Sequence, residues 1–132
     1  MEGYPYVTQL DVRFRDLDTM GHVNNAVYAT YLEQARVAYY DDVLDLGIDE
    51  LGFVLAHLEA DYERPIHHGE EVRVGLRTAD MGERSMRTGY RIEADGTLAA
   101  TAETVQVAVD EDGNPRAVPE DWRSTVERFE GQ

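Results

Sequence analysis

Residues 26–44 place Tyr28, Tyr31, Leu32, Ala35, Tyr39 and Val43 at three- and four-residue steps, with no Gly or Pro among them. That period is one face of a helix of about five turns at 3.6 residues per turn. Most other patterned segments alternate at period two, so the helix has mainly sheet to pack against. A helix buries one apolar stripe and an antiparallel sheet one apolar face; the economical solution wraps the sheet around the helix. The stripe is rich in Tyr and Ala, which also suits contact with a second subunit.

Before the helix, Leu10, Val12 and Phe14 alternate with Asp11, Arg13 and Arg15, the pattern of a strand with one buried face. After it, Gly47 is placed to stop the helix. Four more segments then alternate. In residues 54–64 the apolar positions are Leu58, Ala60 and Tyr62, with Pro65 closing the strand. Val72, Val74 and Leu76 mark the next, and Met86, Thr88, Tyr90 and Ile92 the one beyond a turn at Met81-Gly82-Glu83. Asp95-Gly96 is a strong hairpin signal leading to Val105, Val107 and Val109, which alternate with Gln106 and Ala108. Pro119, at a first helical position, starts a short C-terminal helix. The expectation is an α+β chain, one domain over residues 1–132, in the order one strand, one long helix and four strands, the last four suggesting an antiparallel meander packed on the helix.

Hydrophobic residues make up 42% of the chain, enough for a core despite the charge. No cysteine is present, which excludes disulfides, thiolate metal sites and a cysteine nucleophile. The first residues lack a basic start followed by an apolar run, and no stretch reaches the roughly 20 apolar residues of a membrane span, so a cytoplasmic protein is expected. The 27 acids face 12 bases, all Arg, for a formal charge of -15. Such a shell suits concentrated salt, where the Debye length falls to about 3 Å at 1 M, and a halophilic source is one reading. An Arg-favouring genome with an ordinarily acidic product is the other. Nucleic acid, which needs a basic face, is not an expected partner.

Chemistry concentrates in residues 16–25. Asp16, Asp18 and His22 stand just before the helix, whose unpaired amides and partial positive charge can hold a developing oxyanion. A carboxylate there can attack a thioester or activate water. The competing role is structural: Asp before a helix commonly caps it, His22 commonly hydrogen-bonds, and His67-His68 before Gly69 reads as a turn. There is no HExxH pattern or carboxylate cluster at ligand spacing, so no metal site is expected.

The run FRDLDTMGHVNNAVY at residues 14–28, with YLEQAR at 31–36, YERPI at 62–66, GEEV at 69–72 and GNPRAVP at 113–119, closely resembles the 4-hydroxybenzoyl-CoA thioesterase family of hotdog proteins. The likeness covers about residues 7–119. It implies a five-stranded antiparallel sheet around one long helix, subunits paired as a homodimer or homotetramer so that two sheets join, and active sites between them. It implies hydrolysis of an acyl-CoA thioester with no cofactor, coenzyme A being part of the substrate. The family's catalytic carboxylate falls on Asp18, as nucleophile or general base, and its oxyanion-donating amide on Asn25.

The same segment is also similar to acyl-carrier-protein thioesterases, whose pattern uses the Asp, an Asn two residues on, and the His. Asp18 and His22 match but Met20 replaces the Asn, which favours a CoA substrate and leaves His22 to orient water or Asp18. Hotdog enoyl-CoA hydratases want that same Asn and a His five residues after the Asp; here His22 follows by four. A non-catalytic acyl-CoA binder is a further alternative. Coenzyme A carries phosphates, so this acidic chain must gather positive charge locally. Arg84 and Arg87 beside the Gly82 turn offer forked donors, with Ser85 between them; alternatively Arg87 is only the solvent-facing residue of a strand.

Overall fold

The five strands form one antiparallel sheet in the spatial order β1-β3-β4-β5-β2. A computed structural model describes residues 1–131. Along the chain come β1 (Tyr6–Leu10), α1 (Val27–Leu44), β2 (Phe53–Tyr62), β3 (Val72–Met81), β4 (Ser85–Ala94), β5 (Thr97–Ala108) and α2 (Glu120–Glu130). The sheet curls around α1, the hotdog arrangement. Val72, Val74 and Leu76 of β3 and Met86, Tyr90 and Ile92 of β4 are buried with Tyr28, Tyr31, Leu32, Ala35 and Tyr39 of α1. At about 1.5–3 kcal/mol per large apolar side chain, this contact is the main stabilising term. Among the described residues no helix is long and apolar enough to cross a membrane.

The four strands after the helix are not a simple meander: β2 pairs with β5 at the far edge and not with β3, so only β3, β4 and β5 follow one another in space. Three elements also differ locally from the sequence pattern. The first strand ends at Leu10, and Phe14–Asp16 is a 3-10 turn with Phe14 85% exposed. The Asp16 carboxylate accepts from the Arg13 amide at 2.9 Å, which folds the backbone over and ends the alternation. The helix stops at Asp45, two residues before Gly47, with φ 55 and its amide bonded to the Asp41 carbonyl at 3.0 Å. Asp tolerates this left-handed conformation through its short polar side chain.

On β5 the inward face is Thr104, Gln106 and Ala108, while Val105 and Val107 turn outward. The reversal has a hydrogen-bonding cause. Gln106 Nε2 donates to Thr88 Oγ1 at 2.8 Å and to the Tyr40 hydroxyl at 3.3 Å, and the Tyr90 hydroxyl pairs with Thr104 Oγ1 at 2.6 Å. Gln106 Oε1 also accepts from Thr104. The buried polar groups are satisfied by one another, so polar side chains occupy the core face without a large penalty.

The C-terminal helix α2 begins after Pro119 and covers one end of the wrap. Trp122 packs against Phe53 with ring centroids 5.4 Å apart, and Phe129 against Tyr39 at 5.8 Å.

Candidate active site

The loop that leaves β1 and enters α1 lies at the end of the sheet where β2 and β4 finish and β3 starts. Val23 donates to the Ile66 carbonyl at 2.8 Å, and a backbone bridge joins His22 to His67. Within the loop Leu17 bridges Val23, the Asp18 amide bonds the His22 carbonyl at 2.7 Å, and Gly21 takes φ 77 to close the turn.

The two acids of this loop have different roles. Asp16 is 2% exposed and accepts from the Arg13 amide and the Tyr31 hydroxyl, at 2.9 and 2.8 Å. Burial opposes its ionisation, but the Arg13 amide, the Tyr31 hydroxyl and the Arg13 guanidinium outweigh it and hold the carboxyl below its ordinary range. Asp18 is exposed. Its Oδ1 accepts from the amides of Met20 at 2.8 Å and His22 at 3.2 Å, while Oδ2 has no partner among the described residues. Neither acid caps α1, which has no side-chain cap and no acid in its first turn. The positive end of the helix is therefore not neutralised locally.

The amides just before α1 are accounted for with one exception. Asn24 donates to the Asp16 carbonyl at 2.8 Å, Ala26 to Asn24 Oδ1 at 2.9 Å and Val27 to the Asn24 carbonyl at 2.8 Å. The Asn25 amide donates to no described group. Its carbonyl accepts from the Tyr62 hydroxyl at 3.1 Å, which ties the turn to the end of β2. A free N–H at the helix entrance and, in the same loop, a carboxylate with a free oxygen are the two kinds of group that acyl transfer uses.

His22 does not hydrogen-bond the Asp18 carboxylate through its ring; that ring stands edge-on to His67 at 4.7 Å. His67 Nδ1 lies 3.2 Å from Glu70 Oε1, which also accepts from the His67 amide at 2.6 Å. Arg64 Nη2 donates to Glu70 Oε2 and to the Ala94 carbonyl, both at 2.7 Å. The Arg64 guanidinium, with help from the His67 amide and ring, pulls the Glu70 carboxyl down to about 2 against the effect of burial. Reading the residues singly assigned His67 to a turn and gave Arg64 and Glu70 no role. The available signal was that Arg64-Pro65 and Gly69-Glu70 both lie in runs that carry the resemblance, with the base Arg64 and the acid Glu70 six residues apart.

Arg84, Ser85 and Arg87 are not brought to this loop within one chain. Ser85 opens β4 whereas Ala94, at the loop's end of the sheet, closes it; nine steps at about 3.3 Å put them about 30 Å apart. Arg87 is exposed and ion-paired to Glu103. Among the described residues no three His, Asp or Glu side chains converge as a metal would require.

Residues 12–126, from the loop through α2, match the model of the thioesterase-like superfamily. A solved thioesterase from Thermus thermophilus, complexed with coenzyme A and zinc, is 43% identical, covers 100% of this chain and 98% of that chain, and superposes with a TM-score of 0.93. The 1,4-dihydroxy-2-naphthoyl-CoA hydrolase of Synechococcus elongatus is 28% identical over 130 residues, spanning 89% of this chain and 93% of that protein. The long-chain acyl-CoA thioesterase FadM of Escherichia coli is 27% identical over 108 residues, spanning 78% and 82%. Among the described residues no three-residue donor set stands ready for a zinc ion such as the Thermus complex contains.

Proposed function

The chain belongs to the thioesterase-like superfamily, and from that premise we propose that it hydrolyses an acyl-CoA thioester to the free acid and coenzyme A, with Asp18 and the Asn25 amide as its working groups. The observation that carries the assignment is the pair of unused groups at the entrance to α1: Asp18 Oδ2 and the Asn25 N–H. The resemblance to 4-hydroxybenzoyl-CoA thioesterases, which places the catalytic carboxylate on Asp18, supports the same pair.

As general base, Asp18 takes a proton from water, the hydroxide oxygen bonds the thioester carbon, and the carbonyl oxygen becomes an oxyanion facing the Asn25 amide. The carbon–sulfur bond then breaks, and the thiolate leaves to be protonated. As nucleophile, Asp18 forms an anhydride that water hydrolyses, with the same net balance. A positioned base contributes about 10²–10⁴-fold and an oxyanion donor about 10²–10³-fold. His22, at the rim of the loop, orients the water. The relatives that act on 1,4-dihydroxy-2-naphthoyl-CoA and long-chain acyl-CoA share the CoA thioester and differ in the acyl group, which supports CoA over a carrier protein as the leaving half.

The working unit is a dimer joined through β2. That strand has ten residues, one unpaired edge, and exposed Val54, Leu55 and Tyr62, a surface that invites strand pairing. Antiparallel pairing of β2 with a second β2 sets the Phe53 end of one chain beside the Tyr62 end of the other, so each Asp18 loop gains a wall. It also brings Arg84, Ser85 and Arg87 to the same end of the joined sheet as Asp18 of the partner subunit, where they serve the phosphates of coenzyme A. The enzyme acts in the cytoplasm.

The test is thiol release from a panel of acyl-CoA esters, run in high salt with the wild type and with Asp18→Asn. Hydrolysis of at least one ester and its loss in the variant is the expected result. Ligand binding without thiol release indicates a non-catalytic binder, and near wild-type turnover in Asp18→Asn refutes the mechanism.

A further inference from the structure

Arg36 lies on the face of α1 turned toward the sheet and is 7% exposed. A guanidinium taken out of water ordinarily has an acid beside it, because an isolated buried charge is costly. Arg36 forms no ion pair with any described acid. Its one hydrogen bond runs from Nη1 to the Tyr90 hydroxyl at 3.2 Å. Tyr90 belongs to the network of Thr104, Gln106, Thr88 and Tyr40, which is neutral throughout and supplies no countercharge.

Two nitrogens of Arg36 are left wholly without a partner. Nε and Nη2 donate to no described residue. Among the described residues Arg64 Nε is the only fully buried side-chain nitrogen or oxygen without a partner, so Arg36 Nε and Nη2 are not completely sealed off. Arg36 lines a cavity of about 280 Å³ between α1 and the first half of β2, whose walls include Val37, Tyr40, Phe53, Gln106 and the edge residues Val54 and Leu55, next to which a paired second β2 would lie. Glu33 also lines it, but is exposed and does not pair with the guanidinium. An apolar pocket with one buried, uncompensated cation is built for an apolar ligand that ends in an anion.

We propose that Arg36 sets acyl specificity, and that the acyl group selected is short and ends in a carboxylate: the mono-CoA thioester of a short dicarboxylic acid. Nε and Nη2 lie on one edge of the guanidinium and match the two oxygens of a carboxylate, whereas a hydroxyl or keto group offers a single oxygen. The cavity is at the small end of the range for ligand pockets, about 300–1,000 Å³, which fits a short chain. It opens at the Phe53 end of β2, which antiparallel pairing places next to Asp18 of the partner subunit. The inference rests on the thioesterase reading and on that pairing.

The experiment compares adipoyl-CoA with hexanoyl-CoA, equal in chain length and differing in the terminal carboxylate. The ratio of kcat/KM in the wild type is expected to favour adipoyl-CoA by on the order of 100-fold, since the analogue without the carboxylate leaves buried donors unpaired. Arg36→Met should bring the ratio near or below one, and Arg36→Lys, which keeps charge without the fork, should lower it partway. Should the Met variant fail to fold, the Lys variant reads the same effect. A wild type that ignores the carboxylate, or an unchanged ratio in both variants, overturns the inference. So does loss of the dimer in both Arg36→Met and Glu33→Gln with the ratio intact, which assigns Arg36 to an ion pair between subunits. Calorimetric affinities for the two esters report the ground-state part of the same preference without turnover. A protein that binds but hydrolyses neither ester therefore refutes the hydrolytic reading and still decides the role of Arg36.

Discussion

The Tyr62 hydroxyl donates to the carbonyl of Asn25 at 3.1 Å, so the last residue of the edge strand holds the turn whose amide is free. The Tyr62 ring also stands edge-on to Tyr28 at 4.8 Å, inside the first turn of α1. Tyr62→Phe keeps that ring contact and deletes only the hydrogen bond. We expect kcat to fall about fivefold, the equivalent of roughly 1 kcal/mol, with KM little changed, because the donor loses its alignment more than the pocket loses contact. Steady-state kinetics on any hydrolysed ester decides it; a change confined to KM would assign Tyr62 to binding.

Asp18→Asn should separate chemistry from folding. The amide retains an oxygen to accept from Met20 and His22, and the site is exposed, so Tm should move by no more than about 2 °C. Turnover should drop at least about 100-fold, the usual share of a positioned base. Asp18→Ala should lose the same activity and melt earlier, since it also removes the acceptor that closes the loop. A thermal melt and a thiol-release assay on the two variants suffice.

Glu70 ties stability to acid. Its carboxyl is held near 2, below its ordinary 4.5, mainly by Arg64. A depressed carboxyl stabilises the fold at pH values above its unfolded value and loses that contribution as pH falls through the folded one. Glu70→Gln should therefore cost stability near pH 7, on the order of 1–2 kcal/mol because solvent screens part of this partly accessible pair. The deficit should shrink from about pH 4.5 downward and nearly vanish toward pH 2. Asp16 loses its own contribution in both proteins, so the difference between their urea-midpoint curves against pH isolates Glu70. A deficit independent of pH would mean that Glu70 acts by shape alone.

The helix, the hairpin at Asp95-Gly96 and the inward faces of β3 and β4 were legible in the sequence because one physical demand, burial of apolar side chains at a fixed period, decides each of them. The misread pieces are those where hydrogen bonding won. Asp16 turned Phe14 out of the first strand, and Gln106 drew its own side of β5 inward and left Val105 and Val107 outside. At the site, an acid before a long helix more commonly caps it, so the local pattern alone did not single out Asp18; the resemblance did, and the structure leaves that carboxylate off the cap. The lone charge of Arg36 depends on which strands meet, since its one partner Tyr90 is 54 residues away, and no spacing along the chain announces that.

Leu55 tests the pairing of subunits. It sits 48% exposed near one end of β2, beside the exposed Val54. A charge introduced on an edge strand opposes pairing with another strand, so Leu55→Asp should shift the protein toward monomer in sedimentation. Activity should fall with the dimer, because each Asp18 loop loses the wall contributed by the second chain. A monomeric variant with full turnover would mean that one chain completes the site alone.

Salt dependence follows from where the acids lie. A groove near α2 is lined by Asp49, Glu50, Asp110, Glu111 and Asp112, with Arg116 the one base in that lining and its guanidinium stacked over Trp122 at 5.3 Å. Together with a chain charge of -15 this concentrates repulsion on one side of the molecule. At 1 M salt the screening length is about 3 Å, shorter than the spacing of most of these charges, so the repulsion should largely disappear. We expect Tm to rise by on the order of 10 °C between 0.1 and 2 M potassium chloride, a salt whose effect on apolar burial is weak compared with sulfate. Asp112→Asn should raise Tm in low salt and have little effect in high salt, which ties the gain to charge. A Tm that stays flat, or falls, across that range would reduce the acidity to composition and remove the case for a protein adapted to brine.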